Sequence, residues 1–319
     1  MPTEAGLESV MRGWPPPVLD PAGPYSEPVT LLAWALLIGG TLILLVVLAA
    51  LGIALWGGGA LRRRLGGDRA IWLGGVAFPV VVLTALLIWG LSLTSHLQAT
   101  APRGDEMRVR VTGEMWWWRV AYLDAGGRAI FNDANELHIP AGQPVLLELD
   151  SADVIHSFWV PQLAGKMDMI PGRRNLLRIQ ADKPGTYGGQ CAEYCGGPHA
   201  LMGFVVIAHT PESFAQWRAA RLAPPKPAGG RGAELFLSSG CAACHAIRGT
   251  AANGLVGPDL SHVGSRRTLG AGILPNNRGT LAGWIADSQT IKPGNRMPDY
   301  KQFSPEELNA VAAYLESLK

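Results

Sequence analysis

The 319-residue sequence predicts a membrane-anchored multidomain protein, in which a two-helix transmembrane hairpin is followed by a Greek-key β-sandwich and a small all-α domain. Three observations lead there. Two long runs carry no charge, Val29 to Trp56 and Ile71 to about Leu97, and each exceeds the roughly 20 apolar residues that cross a bilayer. Between about 105 and 208, apolar and polar residues alternate with a strand's period. The last ninety or so residues, 231–319, close on an amphipathic helix with its own start signal.

Hydrophobic residues make up 48% of the chain and charged ones 16%, and the apolar excess is concentrated in those two runs. The transmembrane part is therefore placed at 29–97, with helices at about 29–56 and 71–97. Between them lie Arg62, Arg63, Arg64 and Arg69, whereas residues 1–28 hold one basic residue, Arg12. The excess of positive charge puts that loop in the cytoplasm, and segment 1–28 and the C-terminus outside. The first run is too long for a signal-peptide core and no cleavage site is evident, though removal of some N-terminal residues stays open. Gly39, Gly40, Gly74 and Gly75 permit close helix contact, but simple anchoring explains the hairpin equally well. A net charge of +2, with no basic cluster outside the loop, argues against nucleic acid as a partner.

The β-domain is expected over 105–210. Alternation is clear in Met107 to Thr112 and Val145 to Asp150, with further strand-like runs at Val154 to Val160, Leu176 to Gln180 and Gly203 to Ala208. Turn residues separate them, as at Asp124 to Gly127, Pro140 to Gln143, Pro171-Gly172 and Lys183 to Gly185. A strand through Trp116, Trp117 and Trp118 would send the middle ring to one face and its neighbours to the other, leaving at least one exposed. His138 and His209 carry no motif and are read as surface or structural residues, and Met167 and Met169 as packing. A linker is placed at 211–230, where a short amphipathic stretch from Pro211 to Arg221 leads into the Pro- and Gly-rich run from Leu222 to Gly232. In the final domain, 231–319, a helix precedes Cys241, and Ser304-Pro305-Glu306-Glu307 supplies an N-cap, a proline at the first helical position and a reciprocal glutamate for a helix running to Leu318.

The four cysteines fall into two pairs. Cys241-Ala-Ala-Cys244-His245 is the C-x-x-C-H pattern, in which two thiols bond a haem edge and the following histidine binds iron. A zinc half-site would want two further ligands nearby, and only His262 follows. Met297, the one methionine after Met202, is the favoured second axial ligand; His262 is the alternative. Cys191-Ala-Glu-Tyr-Cys195-Gly-Gly-Pro-His199-Ala-Leu-Met202 gathers soft ligands that select copper, and His156 supplies an imidazole from upstream. Two thiolates are too many for a mononuclear blue site, so two bridged coppers fit better; a disulfide, the competing reading, leaves His199 and Met202 unexplained.

This second pattern resembles the CuA motif of cytochrome c oxidase subunit II, C-x-E-x-C-x-x-x-H-x-x-M, and matches it at every ligand position. The resemblance implies a cupredoxin-like sandwich in which Cys191 and Cys195 bridge two coppers, His156 and His199 bind one each, Met202 binds weakly and Glu193 offers its carbonyl. It implies a magnesium or manganese ion at the Glu193 carboxylate, on the boundary with subunit I. Gly113-Glu-Met-Trp116 aligns Trp116 with the residue where electrons enter, although the family often reads Gly-His-Gln before its aromatic run. Asp168 aligns near the donor-docking face and Arg173 near subunit I, while Gly257-Pro258 resembles the cytochrome c turn that holds the haem histidine.

From about residue 27 onward the chain resembles subunit II of a caa-type oxidase with a fused cytochrome c domain. The resemblance implies an electron relay from an external cytochrome c or similar donor, through haem c and CuA, to haem a in subunit I, where oxygen is reduced and protons are pumped. It also implies subunits I and III as partners and a bacterial inner-membrane location with both metal domains on the periplasmic side. Many relatives carry a glutamate at the start of the second helix that serves proton uptake. Here none lies between Asp68 and Asp105, and Arg69 stands near that place. The alternative is the electron-transfer subunit of a nitric oxide reductase. A copper-delivery module is disfavoured by the fused haem site, and a quinol oxidase subunit by the complete copper ligands.

Overall fold

The computed structural model describes residues 16–99, 101–104, 106–226 and 229–319. Residues 1–15, Asp105 and 227–228, which the sequence assigns to the N-terminal segment, the start of the β-domain and the linker, lie outside the described residues. The chain divides into two compact units, one of them Glu27–Gln98.

That unit holds α1 (Glu27–Trp56) and α2 (Phe78–Leu97). The helical run Asp68–Leu97 reaches α2 through a π-helical turn, Leu73–Ala77. Pro79 has no N–H for the helix ladder, and the widened turn falls just before it. Both helical runs span 30 residues, about 45 Å at 1.5 Å per residue, which suffices for a hydrocarbon core of about 30 Å. Arg62, Arg63 and Arg64 fall in the short helix Gly59–Leu65 between them.

In the second unit, ten strands form two five-stranded sheets. They are β1 (Met107–Glu114), β2 (Trp117–Leu123), β3 (Ala129–Ala134), β4 (Glu136–Pro140), β5 (Val145–Ser151), β6 (His156–Trp159), β7 (Met167–Met169), β8 (Asn175–Ile179), β9 (Gly185–Cys191) and β10 (Gly203–His209). One sheet runs β3-β2-β1-β5-β8 and the other β4-β10-β9-β6-β7. The pairs β1 with β5 and β4 with β10 are parallel, which no hairpin can produce and which marks crossings between the sheets. Alternate residues such as Val109, Val111, Leu147 and Leu149 point inward and are fully buried, each worth about 1.5–3 kcal/mol of apolar burial. Trp118 fills the centre, 6.0 Å from the Phe158 ring and 4.8 Å from Phe204.

Two expectations need correction. Met115 and Trp116 form the turn between β1 and β2, so the three tryptophans do not share one strand, and none is exposed. The segment 211–222 is no linker: α3 (Pro211–Leu222) packs on the β-domain, because Phe214 is buried and Trp217 stacks on His138 at 4.2 Å. His138 Nδ1 and His209 Nε2 lie 2.7 Å apart beside Trp217, a structural pair of one buried and one half-buried ring.

The C-terminal part comprises α4 (Arg231–Ser238), α5 (Arg278–Ala286) and α6 (Pro305–Ser317). Capping boxes at Asn277/Thr280 and Ser304/Glu307 start α5 and α6. The domain is helical as expected and adds one minimal ladder, β11 (Thr268–Leu269) with β12 (Leu274–Pro275). Leu235, Phe236, Leu281, Ile285, Val311 and Leu315 pack the three helices together.

This helical part is fastened to the sandwich by buried polar contacts. Arg266 Nε donates to Asp133 on β3 at 2.8 Å, and the Arg267 N–H donates to Glu136 on β4 at 2.5 Å. The Gly203 N–H donates to the Ala271 carbonyl at 3.1 Å. Those contacts, together with the tryptophan turn they cover, explain why Trp116 and Trp117 are half-buried.

Candidate metal centres

The end of β9, the loop after it and the start of β10 bring Cys191, Cys195, His199 and Met202 together, and β6 adds His156. Cys191 Sγ and Cys195 Sγ are 3.7 Å apart, so no disulfide joins them. Metal–thiolate bonds of about 2.3 Å allow both sulfurs to touch one ion from that separation. His156 Nδ1 stands 3.9 Å from Cys191 Sγ, and His199 Nδ1 3.4 Å from Cys195 Sγ. Met202 Sδ is 3.8 Å from Cys195 Sγ, and the Glu193 carbonyl is 3.2 Å from Cys191 Sγ. Four further donors thus converge on one buried pair of sulfurs, a set that fits soft metal ions. The Glu193 carboxylate turns outward, 3.8 Å from Lys166 Nζ.

The electrostatics favour thiolate formation. Hydrogen bonding to Cys195 pulls the Cys191 thiol well below its ordinary range, against the opposing effect of burial, and His156 assists. The same contact, reinforced by burial, pushes Cys195 upward, so the pair retains one proton that metal would displace. Burial works to lower His156, but Cys191 and Asp153 outweigh it and raise the imidazole. Asp153 Oδ1 lies 2.8 Å from His156 Nε2 and fixes the ring with Nδ1 toward the sulfurs. Sequence reasoning missed Asp153, although a carboxylate three positions before a ligand histidine was legible.

A second cavity, of about 240 Å³, is lined by Cys241, Cys244, His245, Met297 and Tyr300. His245 Nδ1 is 2.8 Å from the Pro258 carbonyl. A carbonyl only accepts, so Nδ1 carries the proton and Nε2 is left free for a metal. Burial lowers the His245 pKa and keeps the ring neutral, as a ligand must be. A Cβ at Gly257 would stand 2.6 Å from His245 Cε1, so that ring needs a bare backbone beside it. His262 is not among the lining residues; its Nε2 is engaged by Arg248 at 3.0 Å and the Ala223 carbonyl at 3.2 Å.

Trp116 belongs to both places. Its ring lines the second cavity, while its Nε1 donates to the Cys195 carbonyl at 2.8 Å. Gly196, at φ +114°, would put a Cβ 2.9 Å from that ring. Asp168 lies on β7 paired with Ser157 of β6, and Arg173 is exposed with its Nε on Asn175.

Residues 119–209 match the family model "Cytochrome C oxidase subunit II, periplasmic domain", and residues 230–319 match "Cytochrome c". Cytochrome c oxidase subunit 2 of Alkalihalophilus pseudofirmus is 34% identical over 94% of this chain and 90% of its own length. The subunit 2 of Bacillus subtilis is 30% identical over 82% of this chain and 78% of its own. Among solved structures, the periplasmic domain of subunit II of cytochrome oxidase from Bradyrhizobium japonicum shares 32% identity, covering 38% of this chain and 96% of that one at a TM-score of 0.35.

Proposed function

The chain belongs to the cytochrome c oxidase subunit II family, and from that premise we propose that its two metal centres form one electron relay inside a haem–copper oxidase. Membership makes it an electron-transfer subunit of an oxidoreductase that carries copper and haem c. The finer reading is that electrons pass from an external cytochrome c or similar donor to haem c, then to binuclear CuA and to haem a of subunit I, where oxygen is reduced and protons are pumped.

In this reading Cys241 and Cys244 would hold the haem covalently, with His245 and Met297 as its iron ligands. Cys191 and Cys195 would hold the copper centre, with His156, His199, Met202 and the Glu193 carbonyl completing the donor set. Bound in this way, haem and copper supply one-electron chemistry with little change in ligand positions. The protein's part is to hold those ligands in a rigid sandwich, exclude water from the buried sulfurs and keep the two sites at a fixed spacing. The Glu193 carboxylate would hold magnesium or manganese at the boundary with subunit I, Asp168 would serve donor docking, and Arg173 would meet subunit I. The helices anchor the protein in the bacterial inner membrane against subunits I and III, with the arginine loop cytoplasmic and both metal domains periplasmic.

The observation that carries this reading is Trp116, one ring that walls the haem cavity and hydrogen-bonds the copper loop at Cys195. It supports Trp116 as the residue through which electrons enter the copper site. The nitric oxide reductase alternative is not favoured, because the relatives matched over most of the chain are oxidase subunits. Electron paramagnetic resonance with metal analysis of the purified chain tests the proposal. Two equivalent copper nuclei and one covalent haem per chain are expected. A single-copper signal, or Cys191 and Cys195 recovered as a disulfide, refutes it.

A further inference from the structure

Lys292 precedes the loop that carries Met297, and it is 2% exposed. Its Nζ donates to three backbone carbonyls, those of Trp116 at 2.6 Å, Leu201 at 2.8 Å and Gly270 at 2.8 Å. An ammonium has three N–H donors and no acceptor, so this site satisfies it completely. The three carbonyls come from three places. Trp116 belongs to the turn between the two sites, Leu201 to the copper loop between His199 and Met202, and Gly270 to the haem domain's connection between β11 and β12.

The same short loop makes a second crossing. Arg296 Nη2 lies 3.6 Å from Asp153 Oδ2, and the other oxygen of Asp153 holds His156. The loop is itself braced, since Gln289 donates to the Asn295 and Met297 carbonyls at 2.7 and 2.8 Å, and Asn295 donates to the Lys292 carbonyl at 2.8 Å. A segment tied to Met297 at one end therefore reaches the copper loop at the other.

The geometry points to Lys292 as a positioning residue, an ammonium latch that fixes the haem pocket on the copper loop and sets the spacing that transfer between them requires. This rests on the relay proposed above. The latch works by penalty: any shift of the haem domain leaves up to three buried carbonyls and a buried cation without partners. A loosely docked haem domain loses that precision even when both sites keep their metals.

The test uses the full chain in the assembled oxidase. With an amine-reactive acetylating reagent and mass spectrometry, Lys292 of the unaltered protein should label at least tenfold more slowly than Lys301, whose side chain is 62% exposed. Lys292→Met should slow electron equilibration between haem and copper at least tenfold after pulsed reduction. The haem and copper spectra should keep their form. Labelling of Lys292 as fast as Lys301 overturns the latch, and this measurement decides the matter if the variant fails to assemble. Unchanged equilibration in an assembled Lys292→Met also overturns it. Failure of the relay reading looks different, as wrong copper or haem stoichiometry in the unaltered protein.

Discussion

Replacing Arg266 with methionine removes one half of a buried ion pair that joins the haem domain to the sandwich. The two side chains are 6% and 5% exposed, and Arg266 Nε meets Asp133 Oδ1 at 2.8 Å. After the substitution Asp133 keeps the Ala134 N–H at 2.8 Å and Arg221 at 4.0 Å. Orphaning one partner of a buried pair costs about 3–5 kcal/mol, and the residual contacts place this case near the lower end, at about 3 kcal/mol. For a unit of this size, 1 kcal/mol shifts the melting temperature by about 2–4 °C, so a fall of about 6–12 °C is expected. Carbon monoxide binding to the reduced haem should rise in parallel as the haem domain loosens. The double variant Asp133→Leu/Arg266→Met removes both charges but leaves buried Arg221 without its carboxylate, so it should recover part of the loss. A single variant within about 2 °C of the parent, or a double variant no better than the single, would refute the reasoning. The pair also predicts acid sensitivity. Burial works to raise Asp133, but Arg266, His138 and Arg221 outweigh it and hold the carboxyl below its ordinary 3.8. Its contribution is present above that value and is lost as pH falls through the lower folded one.

Burial, with His138 alongside, lowers His209 from 6.5 to about 4. The unfolded chain therefore takes up a proton that the folded one refuses, so stability should fall as pH drops from 6.5 toward 4, and His209→Gln should flatten that slope in denaturant titrations. Trp116→Phe deletes the Nε1 bond to Cys195; haem-to-copper equilibration should slow severalfold with metal content unchanged, and an unaltered rate would remove Trp116 from the path. Gly257→Ala places a methyl 2.6 Å from the His245 ring, which should displace the ring and weaken the axial bond, seen as high-spin haem in the visible spectrum. Retention of the low-spin spectrum would count against His245 as ligand.

The pattern-bearing parts of the molecule were readable in advance. Charge-free runs located both membrane helices, because bilayer thickness dictates their length, and alternation or strand-like runs located β1, β5, β6, β8 and β10, half of the sandwich strands. The copper loop was legible because all its donors but His156 lie within one short segment, and spacing alone reports their convergence. What joins the domains was not legible. Lys292, Arg266 and Asp133 look like solvated charges in the sequence, and only tertiary packing puts them opposite carbonyls or each other. Trp116 was misplaced on a strand, since period-two reasoning cannot see that the chain turns at Met115. The stretch 211–222 was given to the linker for a related reason: its apolar face, Phe214 and Trp217, is short, and its partner His138 is distant in sequence.

The polar character of the domain interface follows from covalent attachment. A short connection from Leu222 to Arg231 already holds the haem domain at an effective concentration in the millimolar range, so little binding energy is needed to keep it docked. What the tether cannot supply is register. Apolar contact tolerates sliding, whereas a buried cation with three carbonyl partners is satisfied in one arrangement only. Buried ion pairs such as Arg266 with Asp133 add little net affinity for the same reason that they are selective, because their desolvation cost is recovered only in the correct geometry. Buried charges are thus suited to a tethered electron carrier, where the weak requirement is attachment and the strict one is spacing.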